Sequence, residues 1–299
     1  MAAEDNFHTE KLRSSVRVTV RSHSPEGTWP PPSTSKLLRV ARLSINSKLY
    51  HGSHTMNPLT KTDHRPWPLP SRPWIMVQVW RDLLFAHWRL PAETIRPFVP
   101  QWLELDTFDG HAWVSIAPFH MSLRARGLPM LPWMSMILET NFRTYVVAEE
   151  KPGILFFSLD ASSVPAVYAA RWFYHLPYFH ASMGIERDGN SFSYSLRRGQ
   201  VAWRVDYGPA PGQIEAPRGS LEHCLTERYC LYTEWQGRAY RGQIHHMPWP
   251  LQHASVTIHD NTLPKGLGLA LPATPDLASV SPELEVMVWP LERVGLPGR

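Results

Sequence analysis

The chain has 299 residues, enough for one large domain or two small ones around a sizeable core. Only 19 % of residues are charged, and 29 prolines stand beside 13 Trp, 11 Phe and 10 Tyr, which points to a proline-punctuated compact domain rather than a helical bundle. The net charge of +4 invites a nucleic-acid partner, but residues 1–65 hold ten Lys/Arg against five Asp/Glu while the other 234 hold twenty against twenty-one. The basicity therefore lies outside the main domain, and nucleic-acid binding is not expected.

Residues 1–65 are rich in Ser, Thr, Pro and basic side chains, include Pro30-Pro31-Pro32, and read as a disordered basic extension. Val16–Val20 and Leu37–Leu43 have mild periodicity but nothing to pack against. Met56 is an alternative start for the natural protein. The opening Met1-Ala2-Ala3-Glu4-Asp5-Asn6 lacks the basic and apolar regions of a secretory leader, and no long apolar run occurs. The two cysteines, Cys224 and Cys230, form no metal or redox motif. A cytoplasmic protein without a membrane partner is the expectation.

The domain of residues 66–299 opens at Pro66-Trp67-Pro68. Trp74–Trp80 reads as a strand, Arg81–Trp88 as irregular or a helical turn, and Pro91–Phe98 as a short helix. Leu103–Phe108 and His111–Phe119 flank Asp109-Gly110, a strong hairpin signal. Glu139–Val147 alternates cleanly, with Glu139, Asn141, Arg143, Tyr145 and Val147 facing one way. Ile154–Leu159 is a short strand, and Val164–His175 a helix capped by Ser162 or Ser163. Ala181–Arg187 and Ser191–Arg197 make a second hairpin, followed by a strand at Gln200–Tyr207. Ser220–Tyr232 is the strongest helix signal, and Tyr232–Trp235, Ala239–His245, Ser255–His259 and Leu284–Trp289 read as strands. The fold class expected is mainly β with a few short helices (α+β), as a barrel or highly curved sheet.

Three constellations carry chemistry. The polar face of Glu139–Tyr145 either lines a pocket inside a barrel or is a solvated outer face; alternation weighs the two equally. His223 and Glu227, four apart on the Ser220 helix, make a base and its orienter, although surface pairing explains them more simply. Fifteen histidines include the adjacent His245-His246, which point to opposite faces of a strand and do not chelate together. No metal-ligand spacing, phosphate loop or dinucleotide fingerprint occurs, so no metal or cofactor is expected.

The runs Trp80–Trp88, Leu105–Gly110, Glu139–Tyr145, Phe156–Asp160, His175–Tyr178, Leu221–Tyr229 and Val288–Arg293 together resemble the YqjF-like family of uncharacterised bacterial proteins. The resemblance implies a fold similar to acetoacetate decarboxylase, a closed or nearly closed antiparallel β-barrel with a central pocket. It also implies a test. Acetoacetate decarboxylase works through an imine-forming lysine, which by element order falls near the end of Ile154–Leu159. This chain has Ser158-Leu159-Asp160-Ala161-Ser162 there, without lysine. Glu139 resembles the family's pocket glutamate.

The reading that results is a small-molecule-binding barrel, an enzyme on a small carbonyl or carboxylate compound without a Schiff-base lysine. Glu139 and Asp160 are its acid/base residues. Asn141, Arg143, Ser158 and His87 are its ligand-binding residues. The alternative is a non-catalytic binding or accessory protein using the same cavity. A homo-oligomer stays open.

Overall fold

The computed structural model describes residues 16–20, 58–131 and 134–295; of 16–20 it describes the backbone alone. In chain order the strands are β1 Val16–Val20, β2 Met76–Pro91, β3 Glu104–Leu105, β4 Thr107–Phe108, β5 His111–Ala125, β6 Ile137–Ala148, β7 Lys151–Ala161, β8 Tyr178–His180, β9 Ser182–Asp188, β10 Ser191–Arg198, β11 Val201–Gln213, β12 Cys230–Trp235, β13 Arg238–His246, β14 Gln252–Asn261, β15 Leu277–Val288 and β16 Glu292–Arg293. The α-helices are α1 Ala92–Ile95, α2 Val164–Tyr174 and α3 Leu221–Thr226. The chain is mainly β with few short helices, as the alternation and turn signals predict.

Hydrogen bonds run through a ring of seven strands, in the order β15, β2, β5, β6, β7, β12, β13 and back to β15. Neighbours pair antiparallel except at β7–β12, where the pairing is parallel, as it is between β7 and the short β8. The expectation of a wholly antiparallel arrangement is corrected at these two joints. From β15 the sheet continues through β14 into a wing of β11, β10 and β9, with β1 at its edge. Val16–Val20 thus has a partner, β9. The other expected periodic piece, Leu37–Leu43, lies outside the described residues.

Two apolar cores follow from this layout. One lies between the outer flank of the ring and the wing, where Trp88, Ile116, Phe142 and Val146 meet Tyr194, Trp203 and Val205. Trp88 and Trp203 are both fully buried and pack edge to face with centroids 6.5 Å apart. The other lies on the inner side of the ring: Leu83, Phe85, Phe119, Trp249, Leu284 and Val286.

Three expected elements differ. Arg81–Trp88 is not irregular; β2 runs through it over a bulge at Asp82, whose φ is 51°. The extra residue lets Trp80 and Leu83, three apart, both pack with the ring core. The helix from Ser220 stops at Thr226 rather than Tyr232. Ser220 caps it as expected, by accepting from the His223 N–H. The Glu227 carboxylate then accepts from the Trp249 N–H and the Tyr229 hydroxyl, and the chain turns into β12. Cys224 and Cys230 therefore sit on different elements.

The third difference concerns the N-terminal boundary. Residues 58–65, which composition places outside the domain, lie against β13. Arg65 is buried, donates to the Ile244 carbonyl and Gln243 Oε1, and stacks over Trp67 and Tyr229. His64 stacks on His245. The segment carries its own polar partners, which a composition count does not register.

Candidate functional site

β6 is buried on both faces from Ile137 to Val146. Glu139, Asn141 and Arg143 are 4, 5 and 6 % exposed, so the alternating polar face is interior rather than solvated. One face of β6 packs against the wing through Phe142 and Val146; the other looks into the ring.

Strand register assembles the inner face. Leu277 of β15, His87 of β2, Ser115 of β5 and Arg143 of β6 are successive partners across four strands. On the same face, Ser281 pairs with Leu83, Ala117 with Asn141, and Phe119 with Glu139. The polar residues of this face are held by aromatic neighbours. The Arg143 guanidinium lies 5.2 Å from the Phe85 ring centre and 5.8 Å from that of Tyr145. His87 stacks on Phe85, and its Nδ1 is 3.2 Å from the Tyr145 hydroxyl. Burial, and then the Arg143 charge, hold His87 well below the usual imidazole range, so it is neutral.

Polar atoms on this face lack protein partners. They are His87 Nε2, Ser115 Oγ, Asn141 Oδ1, Arg143 Nε, Ser281 Oγ and Trp113 Nε1. Among the described residues no carboxylate lies within ion-pair distance of Arg143, whereas Arg198 and Arg228 each have one and Arg241 has two. Buried polar groups are normally satisfied. Here a cluster of unsatisfied ones faces a common interior.

Glu139 is the carboxylic acid of the face. Burial pushes its carboxyl up to about 7, against the opposing hydrogen bond from Tyr178 and with a smaller push from Asp160. Tyr178 donates to Oε2 at 2.8 Å. Asp160 and Ser158 are not on this face. Asp160 pairs with Thr140 and Ser158 with Phe142, so both belong to the wing side. There Asp160 receives the Arg198 guanidinium at 2.5 Å. Burial raises its pKa despite that partner. The structure therefore brings together Glu139, Asn141, Arg143 and His87, and sets Ser158 and Asp160 apart. Ser115 and Ser281 join the face through the strand register, and Tyr178, the last residue of the run His175–Tyr178, joins it through its hydrogen bond to Glu139.

The other expected constellations are structural. His245 and His246 do face opposite ways: His245 Nε2 meets the Pro58 carbonyl, and His246 stacks on Tyr229. Glu227 is committed to Tyr229 and Trp249 rather than to orienting His223. No group of three or more His, Cys, Asp or Glu poised for a metal occurs among the described residues. No helix among them is long and apolar enough to cross a membrane. A separate groove of 710 Å³ runs over the wing, with Ser193, Ser195, Arg204, Asp206 and His259 in its lining, and shares no residue with the inner face.

Comparison with known proteins agrees with this architecture. The chain is 43 % identical over 229 residues to the "Uncharacterized protein YqjF" of Bacillus subtilis (strain 168), covering 75 % of this chain and 95 % of that one. Among solved structures it resembles acetoacetate decarboxylase from Legionella pneumophila with a TM-score of 0.56 and 10 % identity, over 82 % of this chain and 99 % of the other. It also resembles the enduracididine biosynthesis enzyme MppR complexed with pyruvate, with a TM-score of 0.53 and 13 % identity, over 76 % and 92 % of the two chains. At these identities the likeness is one of fold. Residues 77–285 match the family model described as an uncharacterized conserved protein, DUF2071, and the chain is a member of that family.

Proposed function

We propose that the ring is a barrel whose interior binds a small carbonyl or carboxylate compound, and that Glu139 exchanges a proton there. The observation that carries this reading is Arg143, a buried guanidinium without a carboxylate partner among the described residues. A buried unpaired charge is costly, and a ligand carboxylate removes that cost through charge-assisted hydrogen bonds. One fold neighbour holds pyruvate, a ligand of this chemical class.

Ser115, Asn141 and His87 supply the remaining hydrogen bonds to such a ligand. Glu139, poised near neutrality, takes and returns a proton next to the carbonyl, which suits lyase, isomerase or hydrolase chemistry better than redox chemistry. Glu139 and Arg143 are four residues apart on one strand, about 13 Å between Cα atoms, so a ligand touching both reaches across Asn141. Imine chemistry finds no support among the described residues: Lys61 and Lys265 are exposed, and Lys151 sits at the β6–β7 turn beside Glu149 and Glu150. The two thiols, both free, suit work in a reducing cytoplasm.

The second reading, binding without turnover, is favoured by Asp160. Its engagement with Arg198 on the other face leaves Glu139 without a second carboxylate as partner. Two measurements test and separate the readings. Calorimetry with pyruvate and acetoacetate as probes, beside native mass of the purified protein, tests occupancy. No binding and no co-purified ligand would overturn both readings. Deuterium wash-in from heavy water at the carbon beside the carbonyl, lost in Glu139→Gln, supports proton transfer; binding without wash-in leaves the non-catalytic reading standing.

A further inference from the structure

Helix α2 presents an apolar stripe to solvent. Val164, Tyr168 and Trp172 recur at every fourth residue and are 42, 66 and 78 % exposed; Phe173, beside them, is 68 % exposed. The opposite side of the helix, with Val167 and Tyr174, packs into the ring core, so the aromatic stripe is not what holds the helix in place. At the C-terminal end the stripe continues into the β12–β13 turn. His175, the left-handed C-cap of α2, stacks face to face on Trp235 with centroids 4.3 Å apart and planes 4° from parallel, and Trp235 is itself 42 % exposed. At the other end, hydrogen bonds exchanged between Leu138 and Ser162 bring the exposed Met136 beside the start of the helix.

Fully buried aromatic side chains cover about 150–250 Å² each, so these four expose roughly 400–600 Å². That matches the largest apolar patch of a typical monomer and is over half of one side of a standard interface, about 800 Å². The patch also has little charge. Arg171 is the one charged residue of α2, and it is engaged: its Nε donates to the Tyr178 carbonyl and its guanidinium lies over Phe179. Neither α2 nor the β12–β13 hairpin has a lysine, and beside Trp235 the exposed Arg238 is offset by the exposed Glu234, so the patch lacks the net basic surround that draws an interfacial helix to an anionic membrane.

We propose that this surface, centred on Trp172, is where a second copy of the chain docks, with the two α2 stripes facing each other about a two-fold axis. A two-fold contact puts the same patch on both sides. An aromatic, nearly uncharged stripe is complementary to itself, because it meets its copy without like-charge repulsion. The proposal is independent of what the ring interior binds.

Sedimentation of the full chain across the micromolar range tests it. The native protein is expected as a dimer, and Trp172→Glu or Tyr168→Glu is expected to weaken self-association roughly 10-fold or more. Both positions are exposed, so circular dichroism should stay unchanged, and any fall in melting temperature should be confined to concentrations at which the native chain is dimeric; Phe173→Ser provides a third variant should either fail to fold. A native protein that is monomeric throughout the range overturns the proposal. So does a dimer that well-folded variants leave equally tight. Flotation of a monomeric chain with phosphatidylcholine or phosphatidylserine vesicles overturns it in favour of a membrane surface.

Discussion

The Tyr178 hydroxyl donates to Glu139 Oε2 at 2.8 Å, although the two strands that carry these residues are not neighbours. β8 reaches Glu139 across β7, by pairing parallel with it at Leu159–Ala161. The carboxyl is thereby fixed by a donor that favours its ionised form, while burial, the larger effect, favours the protonated one. Its value of about 7 exceeds the ordinary 4.5. Between those values the folded chain keeps a proton that the unfolded chain has released. Stability linked to Glu139 is therefore complete below about pH 4.5 and falls as pH rises towards 7, by about 3 kcal/mol. Glu139→Gln should abolish that slope and leave the protein more stable than the parent above about pH 7. Denaturant unfolding at a series of pH values checks this; identical slopes in both proteins would refute it.

Arg143→Met removes the unpaired charge while keeping much of the volume. The variant should be no less stable than the parent, because a buried charge without a partner contributes little to folding. It should also lose any thermal shift that small carboxylates produce. A loss of about 3 kcal/mol or more without ligand would instead mean that Arg143 already has a protein partner.

Among the described residues no lysine lies on the inner face, so borohydride with pyruvate or acetoacetate should add no mass to the protein. A trapped adduct, read by intact mass, would overturn the exclusion of imine chemistry.

Gly153 lies at the parallel joint between β7 and β12. A Cβ there would come within 2.7 Å of Cys230 Sγ and 2.8 Å of the Cys230 carbonyl oxygen. The backbone contact cannot be relieved by a rotamer change. Gly153→Ala should destabilise the fold by about 1–3 kcal/mol in chemical denaturation. A variant as stable as the parent would show that the joint can spread without cost.

The segment 58–65 makes a prediction of its own. A chain beginning at residue 66 loses the buried Arg65, with its two hydrogen bonds and two aromatic stacks. It should be about 2–4 kcal/mol less stable than one beginning at residue 58. Equal melting curves would make the segment an ornament on the surface.

Much of the fold was legible because strand alternation and Asp-Gly or Gly-containing turns are local signals. The site was legible only in part. The face of β6 that mattered was visible from Glu139, Asn141 and Arg143, yet alternation alone does not say which face is inside. That depends on the wing covering Phe142 and Val146. Asp160 looked like a second site carboxylate because it is close in sequence to the expected lysine position. Its pairing with Thr140 turns it the other way, and pairing is a property of two strands. Ser115 sits in an apolar stretch of β5, and the polar alternation of Ser279, Ser281, Glu283 and Glu285 does not say which of them is inside. The helix from Ser220 had the right spacing up to Arg228, but a tertiary hydrogen bond from Trp249 to Glu227 outweighed it.

The ring is unevenly stitched. β2 and β15 pair from Val288↔Met76 to Leu277↔His87. β12, by contrast, meets β7 at Leu231↔Ile154 and Tyr232↔Leu155, and β13 meets β15 from Ile244↔Val288 to His246↔Val286. The β12–β13 hairpin is thus the panel that separates with least disruption. Amides along its two joints should exchange with solvent before those shared by β2 and β5.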